Sequence, residues 1–286
     1  MESYKNTDRD TGGLNKMKNS IRNGIALYFA FAKVTFLTQL EYRGQFFIRM
    51  ISKIVSWSTG FVMILVLLNQ FERVGSWGMY EILFLYSLEM LSSSLARTFF
   101  MSPFTKLPQL IIRGELDQIL VRPVNPLIYL ICTKVSAGYI SNYIMGIIVI
   151  NICIEKLQIN INFCSFIWLV LVVLGATLIQ AAGFMITSIP AFWILKSDGL
   201  MDIFYRNMIS FINYPISIYN RGIQILLTFI LPYAFINYYP SQFFLGKQEL
   251  FHPFFQFMTP FVGFIVFIGA YLFWRRGLNS YQGTGS

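Results

Sequence analysis

The sequence predicts an all-α polytopic membrane protein with six transmembrane helices, and three observations carry that expectation. Of the 286 residues, 56% are hydrophobic and 12% charged, with a mean hydropathy of +0.58. A soluble domain holds about 25% charged residues. Six apolar runs approach or exceed the roughly 20 residues a spanning helix needs, at about 46–68, 80–101, 127–152, 164–192, 222–244 and 257–274. The basic residues are also spread unequally between the loops that join these runs. One membrane domain, 25–276, suits the length, flanked by polar tails 1–24 and 277–286.

The first tail carries Lys5, Arg9, Lys16, Lys18 and Arg22, without the apolar core or cleavage site of a signal peptide. Residues 25–43 follow. Phe29, Ala32, Phe36 and Leu40 fall on one helical face, and Thr35, Thr38, Gln39 and Tyr42 on another. That pattern predicts an amphipathic helix lying in the membrane interface. Lys33, Gln39, Glu41 and Arg43 weigh against a seventh span.

With a cytoplasmic N-terminus, the outer loops are about 69–79, 153–163 and 245–256, and hold only Arg73, Lys156 and Lys247. The other 19 of the 22 Lys and Arg lie at the cytoplasmic side or near that end of a span. Positive charge gathers on the cytoplasmic side, so both termini are expected there. Trp77, Tyr80, Tyr238 and Tyr239 toward the outer ends, with Trp193 and Trp274 toward the inner ends, fit an interfacial aromatic belt.

The fifth run is interrupted. Pro215, Pro232 and Pro240 each remove a helical donor. Broken helix at membrane depth is tolerated where protein or a cavity shelters it. A re-entrant or interfacial segment on the outer side is therefore expected over 240–256, between spans five and six. In the fourth run, Gly175, Ala176, Ala181, Ala182 and Gly183 permit close helix packing.

The polar island "RGELDQILVRPVNP" at 113–126 is the most organised loop. Gly114 breaks one helix, and Glu115 and Asp117 fall in the first turn of another, where acids suit the helix dipole. Pro123 and Pro126 end it and open the third span. Physics alone leaves two readings, a rigid lever moved by a cytoplasmic partner or a capped interfacial turn.

Catalytic chemistry is absent from the pattern. There is no GxxxxGK[ST] phosphate loop, a single histidine, His252, and no CxxC pair among Cys132, Cys153 and Cys164. No metal site and no cofactor of this chain are expected, and nucleic-acid binding lacks a basic face. Active transport would require ATP hydrolysis by another chain. Cys153 and Cys164 bracket an outer loop, as free thiols or as a disulfide. Glu89, halfway through the second run, is costly in lipid. It lines a polar path or binds a cation, or it pairs with Lys53, Arg49 or Lys134 from a neighbouring helix or snorkels.

Three blocks carry a family resemblance. They are "RGELDQILVRPVNPL" at 113–127, "YPISIYNRGIQILLTFILPYAFINYYPSQFFLG" at 214–246, and "FWRRGLNSYQGTGS" at 273–286 with Trp274, Gly277 and Tyr281. In this order they resemble bacterial ABC transporter permeases of the ABC type-2 family. Gly283-Thr284 departs from the small residues expected there. The resemblance implies half of the membrane domain of an ATP-driven transporter, most often an exporter in the bacterial cell membrane. It implies a homo- or heterodimer of permeases with two cytoplasmic ATPase subunits, which hold ATP and Mg. It makes 25–43 an elbow helix and places a coupling helix in 106–122, with Arg113, Gly114, Glu115, Leu116 and Asp117 at the ATPase contact. An autonomous channel or ion-coupled carrier with Glu89 in its path is the alternative.

Overall fold

The computed structural model describes residues 43–194 and 198–281, together with residues 30, 31, 33, 34, 37, 38 and 41. Those seven positions are helical, but the residues meant to give 25–43 its apolar face lie outside the described set, as do the tail 1–24 and residues 282–286. All regular structure among the described residues is helical, apart from one isolated bridge between Val74 and Trp77.

Helix α1 is Arg43–Gln70. Ile48, Ile51, Val55, Val62 and Val66 recur along one exposed stripe. A stripe of that size on a soluble protein would be an interaction site; on a spanning helix it meets lipid. Helix α2, Met79–Ala96, is buried on nearly every face. The Glu81 carboxylate accepts from the Gly78 N–H at its start, at 2.7 Å. Beyond Ala96 the chain widens into a π-helical turn, Arg97–Met101, then runs through Ser102–Thr105. Three short helices follow: α3 (Leu107–Ile112), α4 (Glu115–Leu120) and α5 (Pro126–Thr133). Asn125 caps α5 by accepting from the Leu127 and Ile128 N–H groups, with Pro126 at the first helical position. Helix α6 is Ile140–Lys156 and α7 is Phe163–Ser188. The third predicted span is thus two helices, parted at Lys134–Tyr139, where the Ser136 N–H bonds to Thr98 O at 2.9 Å.

Among the described residues, three helices are long and apolar enough to cross a bilayer: Gly44–Gln70, Phe163–Phe192 and Thr259–Ser280. A fourth joins them if the pair Arg221–Ile230 and Tyr233–Leu245, bent by 78°, is one broken span. The pair comprises α8 (Arg221–Ile225) with a π turn, Leu226–Ile230, and a short turn leading into α9 (Tyr238–Leu245). Pro232 sits at the bend, so the predicted straight span over 222–244 is replaced by two helices bent by 78°. Thr259–Ser280 is α10.

Two ends of the bundle are recognisable from contacts. At one, Lys247 and Glu249 meet Ser76, Trp77 and Glu81. At the other, Trp274 packs edge-on against Phe104 and Phe192, at 5.7 and 5.4 Å between centroids. Residues 198–213 connect the two and are helical throughout, with a π turn at Asp202–Asn207. Met201 and Asp202 lie beside Phe104, Pro108 and Ser188, whereas Ile212 O accepts from Asn237, which also reaches Leu85 O. The spacing of the apolar runs 164–192 and 222–244 predicts a loop over this stretch. At the bend, Tyr233 donates to Phe204 O at 3.0 Å and lies against Gly183 of α7.

Helix α10 runs along α7, and α6 and α7 flank α2. A Cβ on Gly175 would stand 2.7 Å from the Pro260 Cα, and one on Gly263 would strike the Gly175 carbonyl. The small residues of α7 therefore set this crossing. Four of the six aromatics assigned to an interfacial belt are instead packed inside: Trp77, Tyr238, Tyr239 and Trp274 are all at most 2% exposed. The three cysteines are free, Cys153 buried and Cys164 exposed.

Candidate functional site

The island at 113–126 folds as two short helices around a sharp turn. Gly114 takes φ 68°, ψ 9°, the left-handed region that a residue with a Cβ enters at a cost. Its N–H bonds to Ile111 O at 3.1 Å, closing α3, and its own backbone opens α4. Glu115 and Asp117 then occupy the first turn of α4. Leu116 is fully buried and Ile119 is 8% exposed, so α4 is nailed down by its apolar side. Arg113 and Glu115 approach to 3.8 Å with both side chains largely in water, a pair worth little. Arg122 lies 4.9 Å over the Tyr129 ring. α3 itself packs on Ile189–Phe192 at the end of α7. The loop is therefore rigid and tied to the bundle. Of the five residues singled out, Arg113, Gly114, Glu115 and Asp117 form one partly open turn, and Leu116 is its anchor.

Glu89 is elsewhere, 2% exposed in the middle of α2. It makes no ion pair with Lys53, Arg49 or Lys134. The charge it feels most is Arg97, and one of its carboxylate oxygens has no hydrogen-bond partner. Lys53 goes instead to Tyr139, 3.3 Å from its hydroxyl and 4.6 Å from its ring centre. Arg97 also bonds Tyr139. Beside them runs a chain the sequence reading missed. Tyr205 O–H donates to Gln180 Oε1 at 2.9 Å, and Gln180 Nε2 donates to Ser92 Oγ at 2.9 Å. This chain ties α2, α7 and the 198–213 segment together. Gln180 was the available signal, the only amide side chain within Phe163–Ser188. Gln180→Leu should cost about 1–3 kcal/mol, because the Tyr205 hydroxyl is left unmet. Adding Tyr205→Phe should restore much of the loss; thermal unfolding of the two single variants and the double variant measures this coupling.

At the opposite end, Glu249 collects four donors: Ser76, Trp77 Nε1 at 3.0 Å, Tyr238 at 3.0 Å, and Ser217. Lys247 bonds Glu81 at 2.6 Å and lies 4.8 Å over the Trp77 ring. This clamp fastens the exit of the bent pair to the α1–α2 loop. Burial alone would raise the Glu249 carboxyl, but the bonds from Ser76, Trp77, Ser217 and Tyr238 outweigh it and hold the carboxyl below its usual range. A lowered carboxyl stabilises the fold above its unfolded value, near pH 4, and that contribution is lost as pH falls through the folded value. Glu249→Gln should therefore cost about 1–2 kcal/mol at pH 7. The gap from wild type should narrow below about pH 4, read from unfolding temperatures across pH.

Among the described residues no group of His, Cys, Asp and Glu could hold a metal ion. A family model described as "ABC-2 family transporter protein" matches residues 54–285. That range takes in the island, the bent pair and the Trp274 end together. No curated protein and no solved structure matches the chain.

Proposed function

The chain belongs to the ABC-2 transporter family, a family of multi-pass membrane transport components, and from that membership we propose that it is the permease subunit of an ATP-driven exporter. A dimer of permeases, two copies or two related chains, forms the path, and two separate ATPase subunits bind ATP and Mg. The observation that carries the reading is the 107–122 loop: a stiff pair of short helices with Arg113, Glu115 and Asp117 at its turn, braced on the end of α7. A chain without a phosphate-binding loop needs such a handle.

In this reading six crossings remain, with one reassigned. Residues 198–213 make the fifth, from the cytoplasmic to the outer side, and the bent pair is the re-entrant hairpin before the sixth. Arg221 then moves to the outer side, where it lies 5.3 Å over the Phe251 ring. That leaves 18 of the 22 basic residues inside, so cytoplasmic termini still follow from the charge bias; a bacterial cell membrane is proposed from the family alone.

The test is reconstitution in proteoliposomes with and without a candidate ABC ATPase subunit from the same organism. The expected result is efflux that requires ATP and both subunits. An autonomous channel or a carrier routed past Glu89 predicts flux from this chain alone; such flux without nucleotide would overturn the proposal.

A further inference from the structure

A cavity of about 760 Å³ lies between α7, the 198–213 segment, the bend and α10. That volume is within the usual range of ligand sites, roughly 300–1,000 Å³. Its walls are carbon almost throughout. Three side-chain hydroxyls face it, and all are engaged: Thr187 donates to Gly183 O at 2.8 Å, Thr228 pairs with Tyr239 at 2.9 Å, and Tyr233 donates to Phe204 O at 3.0 Å. A water or polar group entering would find no free side-chain hydroxyl, and apolar cavities of this kind stay dry and take apolar ligands. The rim is open to the surroundings, with Ile186, Phe204 and Ile230 at 43%, 47% and 68% exposure.

The face of α10 that lines the cavity runs on toward its C-terminal end. Val262, Val266, Gly269, Phe273 and Arg276 recur at helical spacing down one face, and Phe273 lines both this cavity and a second one. The second is bounded by Gly269, Arg275, Arg276 and Asn279. Gly269 borders open space, since a Cβ there would meet nothing within 4 Å. Both guanidiniums are exposed, and neither pairs with a carboxylate among the described residues. From Val262 to Arg276 the helix rises about 21 Å at 1.5 Å per residue. One leaflet with its headgroups is about 20–22 Å thick.

We propose that this groove holds an anionic glycerophospholipid of the cytoplasmic leaflet, one acyl chain in the apolar cavity and the phosphate on Arg275 and Arg276. Arg275 and Arg276 stand on one helix, α10, and each basic residue close to an anionic cytoplasmic leaflet adds about 1 kcal/mol of attraction. The proposal rests on the membrane placement given above and not on transport.

The test is native mass spectrometry of the full chain from nanodiscs with equimolar phosphatidylglycerol and phosphatidylcholine. Wild type should retain phosphatidylglycerol over phosphatidylcholine by roughly tenfold or more. Arg275→Gln with Arg276→Gln should lose that preference yet keep a lipid adduct. Gly269→Trp, which projects into the open space along this face of α10, should lose the adduct while its circular dichroism and monodispersity match wild type. Equal retention of both lipids by wild type, or an undiminished adduct in Gly269→Trp, would overturn the site and leave the membrane placement standing. A change of oligomeric state in Gly269→Trp with lipid retention unaltered would identify the groove as an interface between copies, and sink the proposal. A wild-type chain that never enters the membrane fraction would overturn the placement and the site together.

Discussion

Gly263→Ala is expected to unfold or badly weaken the protein, although it adds one methyl group. Helices α7 and α10 cross so closely that a Cβ on Gly263 would overlap the Gly175 carbonyl oxygen and stand 3.0 Å from the Gly175 Cα. Both are backbone atoms and cannot rotate away, so the helices must separate. In a bilayer, helices associate largely through such packing, with small residues at the contact. Overpacking costs about 1–3 kcal/mol where side chains can yield and more where they cannot. Parting the crossing also strips the van der Waals contacts on either side, and the whole fold has a margin of only about 5–15 kcal/mol. A matched control exists two turns further on. Gly269 is in the same helix with open space around it, so Gly269→Ala should be neutral or gain up to about 1 kcal/mol from helix propensity. Unfolding temperature and monodispersity in detergent separate the two. Equal behaviour of the two alanine variants would show that the close approach does not hold the bundle.

The second large effect is expected at the island. Exchanging both Glu115 and Asp117 for Lys should cut transport-coupled ATP hydrolysis by about tenfold or more, through loss of docking to the ATPase. The fold should survive. Two cations at the start of α4 oppose its dipole by about 0.3–1 kcal/mol each, while Leu116 and Ile119 still anchor the helix from below. Leu116→Ala is the contrasting change. It removes a fully buried side chain and should cost about 2–5 kcal/mol, loosening the loop without altering its charge. Co-purification and hydrolysis in the reconstituted complex read the charge effect, and thermal unfolding reads the anchor. Undiminished hydrolysis and assembly in the double Lys variant would sink the coupling assignment.

Much of the island was legible in the sequence, because its signals are local. A glycine between helical stretches, acids one turn later and prolines at the exit act within a few residues of one another. The left-handed Gly114 and the Asn125 cap are where that local chemistry puts them. The burial of Leu116 was not legible; it depends on what lies beneath the turn. Glu89 was singled out for its cost in lipid, but its partners were read wrongly. Lys53 turns to Tyr139, and the group nearest in charge is Arg97, two turns along the same chain segment.

Residues 198–213 show the limit most clearly. Asp202, Arg206 and Asn207 lower the apolar content of 198–213, yet Asp202 and Arg206 pair at 2.9 Å on its outward face while Tyr205 and Ile209 bury the other. Residues 222–244 are more apolar, and they bend by 78° at Pro232. The aromatics near the span ends likewise look interfacial in sequence and are packed inside in the structure.

The amino-acid order was enough to establish a helical, multi-pass membrane chain with its basic side and its organised polar loop. Transfer of a side chain into lipid is close to a sum of independent terms, so a running window along the chain can read it. Which helix is central, where α7 and α10 touch backbone to backbone, how Ser92, Gln180 and Tyr205 are strung together and where the groove along α10 opens were decided only by the tertiary structure. Those features arise from pairs and triples of residues far apart in sequence, and no term belonging to one residue contains them.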